Sequence, residues 1–498
     1  MQKANLNAFA YLLEYMVRFG VGLALTPLIL SGLGDFYFGV WQLLNKLTNY
    51  LLVASGNPTQ ALKWSLASKQ NSTDYLQKRQ FVGSSLITWL AFFPFLGLAG
   101  AALAWYMPFI LKLPIESYFS VRVATGILVC NLILFNLADI PNAILRGENL
   151  GYTRMGVSAL LALLGGLFVA ISLYFELGLI GIAAATASAT ILNGCLFYFI
   201  VREHVDWFGI ARPALSEVKK YAKLSGWYML WFFVTQMSTS GDVILLGIFS
   251  TPELVTKYTI TKYIPQLVIT LVFVFVAAVT PGLGGIIGQN QLDKARSIRA
   301  ELMTMSWLVV TISGALFLLC NQSFVSMWIG EEYYAGNLPM LLIVIMITQY
   351  VLYNNDANII DLFLVARAKT VLGFIALLLS TIGAYILVKT FSFGIIGLCF
   401  SFIAGHLILT IGLPILVGRY LKTDYTFVSN EIYRQIGVMV VLFGVSFWCS
   451  TQFQFTTAWH LLGAATLGLA IFGTVAIGIG LSTQQRALLF MRVQRLSP

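Results

Sequence analysis

The sequence predicts an all-α polytopic membrane protein with about 14 transmembrane helices, in two pseudo-symmetric six-helix bundles followed by two further helices. Its 498 residues are 58% hydrophobic and 10% charged, whereas a soluble globular protein carries about 25% charged residues. Apolar runs such as 86–105 recur along the chain, and each supplies the about 20 residues that a helix needs to cross a bilayer. The polar interval 202–223 separates six of these runs from the remainder.

The predicted helices follow the apolar runs, and the basic residues between them set the orientation. The helices are expected at 7–32, 36–58, 81–106, 119–145, 152–175, 178–201, 224–249, 256–281, 300–323, 336–359, 368–388, 393–418, 432–451 and 457–481. With the N-terminus inside, the only basic residues outside are Lys112, Arg122, Lys257 and Lys389. Because cytoplasmic loops are rich in Lys and Arg, both termini are predicted to be cytoplasmic.

The chain is expected to consist of two related halves joined by a basic linker. The predicted parts are an N-terminal bundle (1–201), the linker (202–223), a C-terminal bundle (224–419) and two further helices with a tail (420–498). The pattern T-x-x-G-x-x-A-L-L-x4-G begins at Thr153 and recurs at Thr370, which predicts a parallel repeat as found in some secondary transporters. Close helix packing explains the same glycines without any repeat.

Polar residues form a stripe on the second predicted helix and again on the eighth. The first stripe has i, i+3, i+4, i+7 spacing and consists of Gln42, Asn45, Lys46 and Asn49. The second is predicted to share one face and consists of Thr259, Lys262, Gln266 and Thr270. If the two halves face each other, Lys46 and Lys262 line a cationic substrate cavity suited to an anionic headgroup such as a diphosphate. The alternative is that each lysine extends to the outer interface.

Four acidic residues and one arginine complete the candidate set. Glu14 and Arg18 are four residues apart on the first helix, and they either line the cavity or form a structural pair. Asp242 on the seventh helix is expected to be a helix-end charge, with an ion-coupling or proton site as the alternative. Asp139 and Asp356, near the inner ends of helices four and ten, are expected to be hydrogen-bonding groups or an inner gate.

No motif for catalysis, nucleotide binding or metal binding is present in the sequence. The five cysteines lie in apolar runs without a CxxC pair, and the chain lacks HExxH, a P-loop and GxSxG. His406, inside the twelfth helix, is expected to hydrogen-bond between helices. The net charge of +10 is spread over loops and does not indicate nucleic acid. We therefore predict no enzyme activity, no cofactor and no metal.

Three passages resemble the polysaccharide (O-antigen type) flippases of the multidrug/oligosaccharidyl-lipid/polysaccharide (MOP) exporter superfamily. They cover 26–47, 141–156 and 242–267, and the first includes Phe38 followed by Gly39, as that family has. The chain departs from the family late in helix two, where 54–58 reads ASGNP in place of an acidic residue and a glycine.

The resemblance implies a V-shaped pair of six-helix bundles in the bacterial inner (cytoplasmic) membrane. It implies alternating access that moves undecaprenyl-diphosphate-linked oligosaccharide from the inner to the outer leaflet, for cell-surface polysaccharide biosynthesis. Arg18, Lys46 and Lys262 would then hold the diphosphate, and polysaccharide biosynthesis enzymes are possible partners besides membrane lipid. A multidrug or organic-cation antiporter of the same superfamily is the second hypothesis, and its substrate would need acidic groups such as Glu14. A membrane polysaccharide polymerase or ligase is the third, and the short outer loops disfavour it.

Overall fold

The computed structural model describes residues 2–54, 58–68, 72–148, 150, 156–213, 215–363, 365–423 and 430–487. Every regular element in these ranges is helical, which confirms the all-α class. The chain divides into two compact units, which we call unit 1 (Met1–Gln236 with Thr251–Glu253) and unit 2 (Met237–Ser250 with Leu254–Pro498).

Unit 1 contains seven helices and the first part of an eighth within the described ranges. They are α1 (Gln2–Ala54), α2 (Pro58–Ser68), α3 (Tyr75–Ile110), α4 (Tyr118–Ala138), α5 (Ile140–Gly147), α6 (Val157–Tyr174), α7 (Gly178–His204) and α8 (Leu215–Phe249). The helix α8 begins inside the predicted linker 202–223 and continues into unit 2. A core of unit 1 lies between α2, α5 and α7, where Leu62, Ile144 and Phe197 are buried together.

Unit 2 contains the end of α8 and the later helices of the chain, apart from the first two residues of α9. They are α9 (Pro252–Tyr263), α10 (Leu267–Gly288), α11 (Leu292–Trp328), α12 (Asn337–Leu362), α13 (Ala366–Ala384), α14 (Gly394–Tyr420), α15 (Asn430–Gln452) and α16 (Ala458–Val475). A π-helical segment follows α13 at Tyr385–Thr390, and another follows α16 at Ala476–Gly480. The two C-terminal helices pack on α11, and Phe443 and Phe472 join Trp307 in a buried cluster there.

Twelve helices among the described residues are long and apolar enough to cross a membrane. The first of them, Met16–Leu51, overlaps two of the predicted spans. These two spans are consecutive in α1, which is interrupted between them at Gly34. Gly34 has φ 76° and ψ 166°, a conformation that is essentially restricted to glycine. The predicted helices 7–32 and 36–58 therefore meet at this break, and the structure supports a multi-pass membrane protein.

The prediction of one continuous eighth helix at 256–281 is wrong. The chain there forms α9 and α10, separated by a turn at 264–266. Pro265 has no N–H to donate to the carbonyl of Thr261, and a proline ring also clashes with that carbonyl in a regular helix. The Thr261 carbonyl accepts a hydrogen bond from Asn321 Nδ2 instead, at 3.0 Å. Consequently Thr259 and Lys262 lie on α9, Gln266 lies in the turn, and Thr270 lies on α10.

Arginines near the starts of the third and ninth predicted helices donate hydrogen bonds to the chain that follows the sixth and twelfth predicted helices, respectively. Arg79 Nε donates to the Trp207 carbonyl at 2.8 Å in unit 1. Arg296 Nε donates to the Leu421 carbonyl at 2.9 Å in unit 2. The two arginines are separated by the same 217 residues as the sequence pattern.

The repeated glycines lie where helices approach closely. A Cβ atom at Gly166 would lie 2.7 Å from the Val21 side chain, and one at Gly383 would lie 3.1 Å from the Ser401 side chain. Both distances are shorter than ordinary van der Waals contact. Close packing is therefore sufficient to explain these glycines.

Candidate functional site

A buried ion pair connects α8 and α9 inside unit 2. The Asp242 carboxylate is fully buried and contacts the Lys262 ammonium, whose residue is 3% exposed. The Tyr258 hydroxyl donates to the same carboxylate oxygen. Lys262 Nζ also donates to the Thr239 carbonyl at 3.3 Å, and the Val243 N–H donates to the other carboxylate oxygen at 2.8 Å. We call Asp242, Tyr258 and Lys262 the unit 2 charge cluster.

The local sequence explains how the unit 2 charge cluster forms. Tyr258 and Lys262 are four residues apart on α9, so their side chains lie on the same face. The helices α8 and α9 meet at the turn around Thr251, which brings the end of α8 beside α9. A single charge at the centre of a membrane helix costs about 2.5–3.5 kcal/mol on insertion scales, and pairing offsets that cost.

His406 lies on α14 in unit 2, and the residue is buried. Its ring centroid is 5.3 Å from that of Tyr353. Neither ring nitrogen has a hydrogen-bond partner in the part of the chain that the structure describes. The predicted interhelical hydrogen bond of His406 is therefore not formed with any described residue.

Glu14 and Arg18 form an ion pair within α1. Arg18 Nη2 lies 3.0 Å from Glu14 Oε1, and Arg18 Nε donates to the same oxygen at 3.1 Å. The arginine side chain is 55% exposed, whereas the glutamate side chain is 17% exposed. The guanidinium group therefore has an open surface in addition to its contact with the carboxylate.

The polar stripe of the second span lies on the part of α1 that follows Gly34. Gln42, Asn45 and Lys46 are half-buried, and Asn49 is exposed. Asn45 Nδ2 donates to the Trp41 carbonyl at 2.9 Å, one turn earlier in the helix. This face of unit 1 is thus partly accessible, and Lys46 is one of its half-buried residues.

Asp139 and Asp356 occupy related positions in the sequence but have different partners. Asp139 lies between α4 and α5 and accepts a hydrogen bond from Asn142 Nδ2 at 2.7 Å. Asp356 is fully buried in α12, and Arg299 donates to its two carboxylate oxygens at 2.7 and 2.8 Å. Such a bidentate pair fixes geometry as well as charge.

The structure pairs four of the candidate charged residues. Glu14 contacts Arg18, which is one of the two predicted alternatives, and Asp242 contacts Lys262, a pair that the sequence did not predict. Lys46 belongs to unit 1 and Lys262 to unit 2. Gln266 lies in the turn after α9 and is half-buried.

Sequence reasoning missed Tyr258 and Arg299 as partners of predicted acidic residues. Tyr258 had a signal, because it is one turn from Lys262. Arg299 had none, because 57 residues separate it from Asp356. No group of three or more His, Cys, Asp or Glu side chains in the described ranges could hold a metal ion.

Solved structures of membrane transporters resemble this chain over most of its length. An inward-facing multidrug resistance MATE family transporter of the MOP superfamily has a TM-score of 0.63 at 15% identity, covering 82% of this chain and 96% of its own. The lipid II flippase MurJ in an inward closed conformation has a TM-score of 0.63 at 12% identity, covering 94% of this chain and 98% of its own.

A third structure extends the comparison to a transporter with a different binding pocket. It is a MOP superfamily transporter from Pyrococcus furiosus, described as having a binding pocket of reverse polarity, with a TM-score of 0.54 at 16% identity. It covers 84% of this chain and 93% of its own. No protein-family model and no curated protein matches the sequence. The chain therefore has the fold that transporters of the MOP superfamily share.

Proposed function

We propose that the chain moves a polyprenyl-diphosphate-linked oligosaccharide from the inner to the outer leaflet of a bacterial cytoplasmic membrane, for cell-surface polysaccharide biosynthesis. The proposed mechanism is alternating access of the two related halves, as a parallel repeat suggests. The observation that carries the proposal is the pairing of acidic side chains. Glu14, Asp242 and Asp356 each contact a basic side chain of their own unit.

This pairing disfavours a cationic substrate. A paired carboxylate has little net charge left to attract an organic cation, and separating a buried pair costs about 3–5 kcal/mol. Asp242 and Asp356 are both fully buried, so this cost applies to each of them. The organic-cation antiporter would depend on such groups, and here they are already neutralised.

The basic groups with accessible surface favour an anionic headgroup. Arg18 keeps an exposed guanidinium face, and Lys46 lies on the partly open stripe of α1. Guanidinium and ammonium groups bind phosphate oxygens through charge-assisted hydrogen bonds. Lys262 is buried against Asp242, whereas Arg18 is exposed and Lys46 is half-buried, so we assign the diphosphate contacts to Arg18 and Lys46 on the basis of their accessibility.

The structural relatives support a transporter without fixing the substrate. MurJ is named a lipid II flippase, which agrees with a lipid-linked substrate, and the MATE transporters agree equally with a drug. The Pyrococcus furiosus transporter, with its pocket of reverse polarity, indicates that charge varies within this fold. The charge pairing described above is therefore what separates the two hypotheses.

The first test is lipid analysis of cells that lack the protein. We expect polyprenyl-diphosphate oligosaccharide to accumulate on the inner face, detected by mass spectrometry with an assay of leaflet position. An unchanged lipid pool with altered drug sensitivity would instead support the antiporter. Lipid-linked units that reach the outer face unpolymerised would support the polymerase or ligase hypothesis, and either result would contradict the flippase.

A further inference from the structure

The last turns of α12 carry an unusual concentration of side-chain amides. Asn354, Asn355 and Asn358 fall within the sequence YNNDAN, which belongs to a helix that crosses the membrane by length and composition. Asn355 is buried and donates to Ser306 Oγ of α11 at 2.7 Å. The other two have a different environment and require a separate explanation.

Asn354 and Asn358 share one face of α12, because they are four residues apart. Both are half-buried, and neither side chain has a hydrogen-bond partner in the described part of the chain. They line a crevice whose other wall is formed by apolar residues of α10, including Val272 and Phe273. The free space in the crevice is about 10 Å³, roughly enough for one water molecule or one hydroxyl group.

The depth of these amides decides which medium they face. The 26 residues of α12 extend about 39 Å, compared with a hydrocarbon core of about 30 Å. Asn354 lies eight residues before the end of the helix at Leu362, which is about 12 Å inside that end. With the helix centred in the core, Asn354 lies about 7 Å inside the hydrocarbon and Asn358 near its boundary. An unpartnered Asn354 amide that faced lipid would cost several kcal/mol, whereas one that faces a water-filled path does not. This face of α12 is therefore expected to be wet.

We propose that Asn354 and Asn358 bind a hydroxyl group in the sugar part of the substrate. An amide offers both a donor and an acceptor, as a sugar hydroxyl does. The apolar wall formed by α10 suits the single C–H group that carries the bound hydroxyl, as polar and apolar groups combine in ligand sites. This assignment rests on the proposed function, and it separates sugar recognition on α12 from diphosphate recognition by Arg18 and Lys46.

The test compares two lipids on the purified full-length protein in nanodiscs. One is polyprenyl diphosphate without sugar, and the other is the sugar-bearing lipid isolated from cells that lack the protein. For the double variant Asn354→Leu, Asn358→Leu, we expect the affinity for the sugar-bearing lipid to fall about tenfold, because two hydrogen bonds are lost. The affinity for the sugar-free lipid should be unchanged.

The matched control is Asn193→Leu on α7, another half-buried asparagine in a membrane helix of unit 1. It should change neither affinity. Asn358→Gln keeps an amide and should retain part of the preference for the sugar-bearing lipid, so it serves if the double variant does not fold.

Three results would overturn the proposal. They are equal loss for both lipids, no loss for either lipid, and a wild-type protein that does not prefer the sugar-bearing lipid. A wild-type protein that binds neither lipid would instead refute the proposed function itself. The sugar-free lipid therefore distinguishes failure of the sugar contact from failure of the flippase proposal.

Discussion

Removing the Lys262 ammonium group should strongly destabilise unit 2. Asp242 is fully buried, and Lys262 is its only basic contact in the described part of the chain. After Lys262→Met the carboxylate keeps hydrogen bonds from Tyr258 and Val243 but loses its counter-charge. An uncompensated buried charge of this kind costs about 3–5 kcal/mol. Asp242→Asn, Lys262→Met removes both charges and keeps an acceptor for Tyr258, so it should recover most of that loss.

The assay is a double-mutant cycle on the free energy of unfolding in detergent micelles. Lys257→Met is the matched control, because it makes the same change at an exposed position on α9. It should change stability by less than about 0.5 kcal/mol, as surface substitutions do. If Lys262→Met were as stable as this control, the reasoning about the buried pair would be refuted.

The same double variant tests how Lys262 acts in transport. Because we assign Lys262 to Asp242 and not to the substrate, the stable double variant should retain transport of the lipid-linked substrate in proteoliposomes. Restored stability with lost transport would show that the pair takes part in translocation. Lys262 would then return to the set of substrate or coupling residues.

Three further substitutions each test a single residue. Lys46→Ala should reduce transport at least about tenfold, because it removes a charge-assisted contact to diphosphate. Lys46→Arg keeps a positive charge and should retain transport. Arg299→Ala should destabilise the protein by about 3–5 kcal/mol, because it leaves Asp356 buried without its partner, and thermal unfolding would measure this loss. Gly34→Ala should cost about 1–3 kcal/mol of stability. That cost is due to the backbone alone, since no atom lies within 4 Å of the added Cβ.

Each of these has a contradicting result. Full transport by Lys46→Ala would remove Lys46 from the diphosphate site. A stable Arg299→Ala protein would mean that Asp356 finds another partner or is neutral. An unchanged unfolding temperature for Gly34→Ala would show that α1 is not interrupted at that residue.

The sequence alone determined the class of protein and the position of most membrane helices. A helix must satisfy its own backbone hydrogen bonds in lipid, and so apolar runs of sufficient length identify the spans. Gly34 separates two predicted helices where the structure breaks α1. Pro265 is a sequence signal for the break between α9 and α10. The apolar pattern continues across this proline, and for that reason the sequence analysis predicted one continuous helix. The i, i+4 pair of Glu14 and Arg18 was also readable, because both residues lie on one helix.

Only the tertiary structure decided which charges neutralise each other across helices. The partners Asp242 and Lys262 are 20 residues apart, and Arg299 and Asp356 are 57 apart. Periodicity specifies the face of a helix on which a side chain lies, but the packing of helices selects the residue opposite that face. The α12 amides show the same division, because Asn355 meets Ser306 while Asn354 remains available. The identity of the charged groups was thus fixed by sequence, and their pairing by the packing of the bundle.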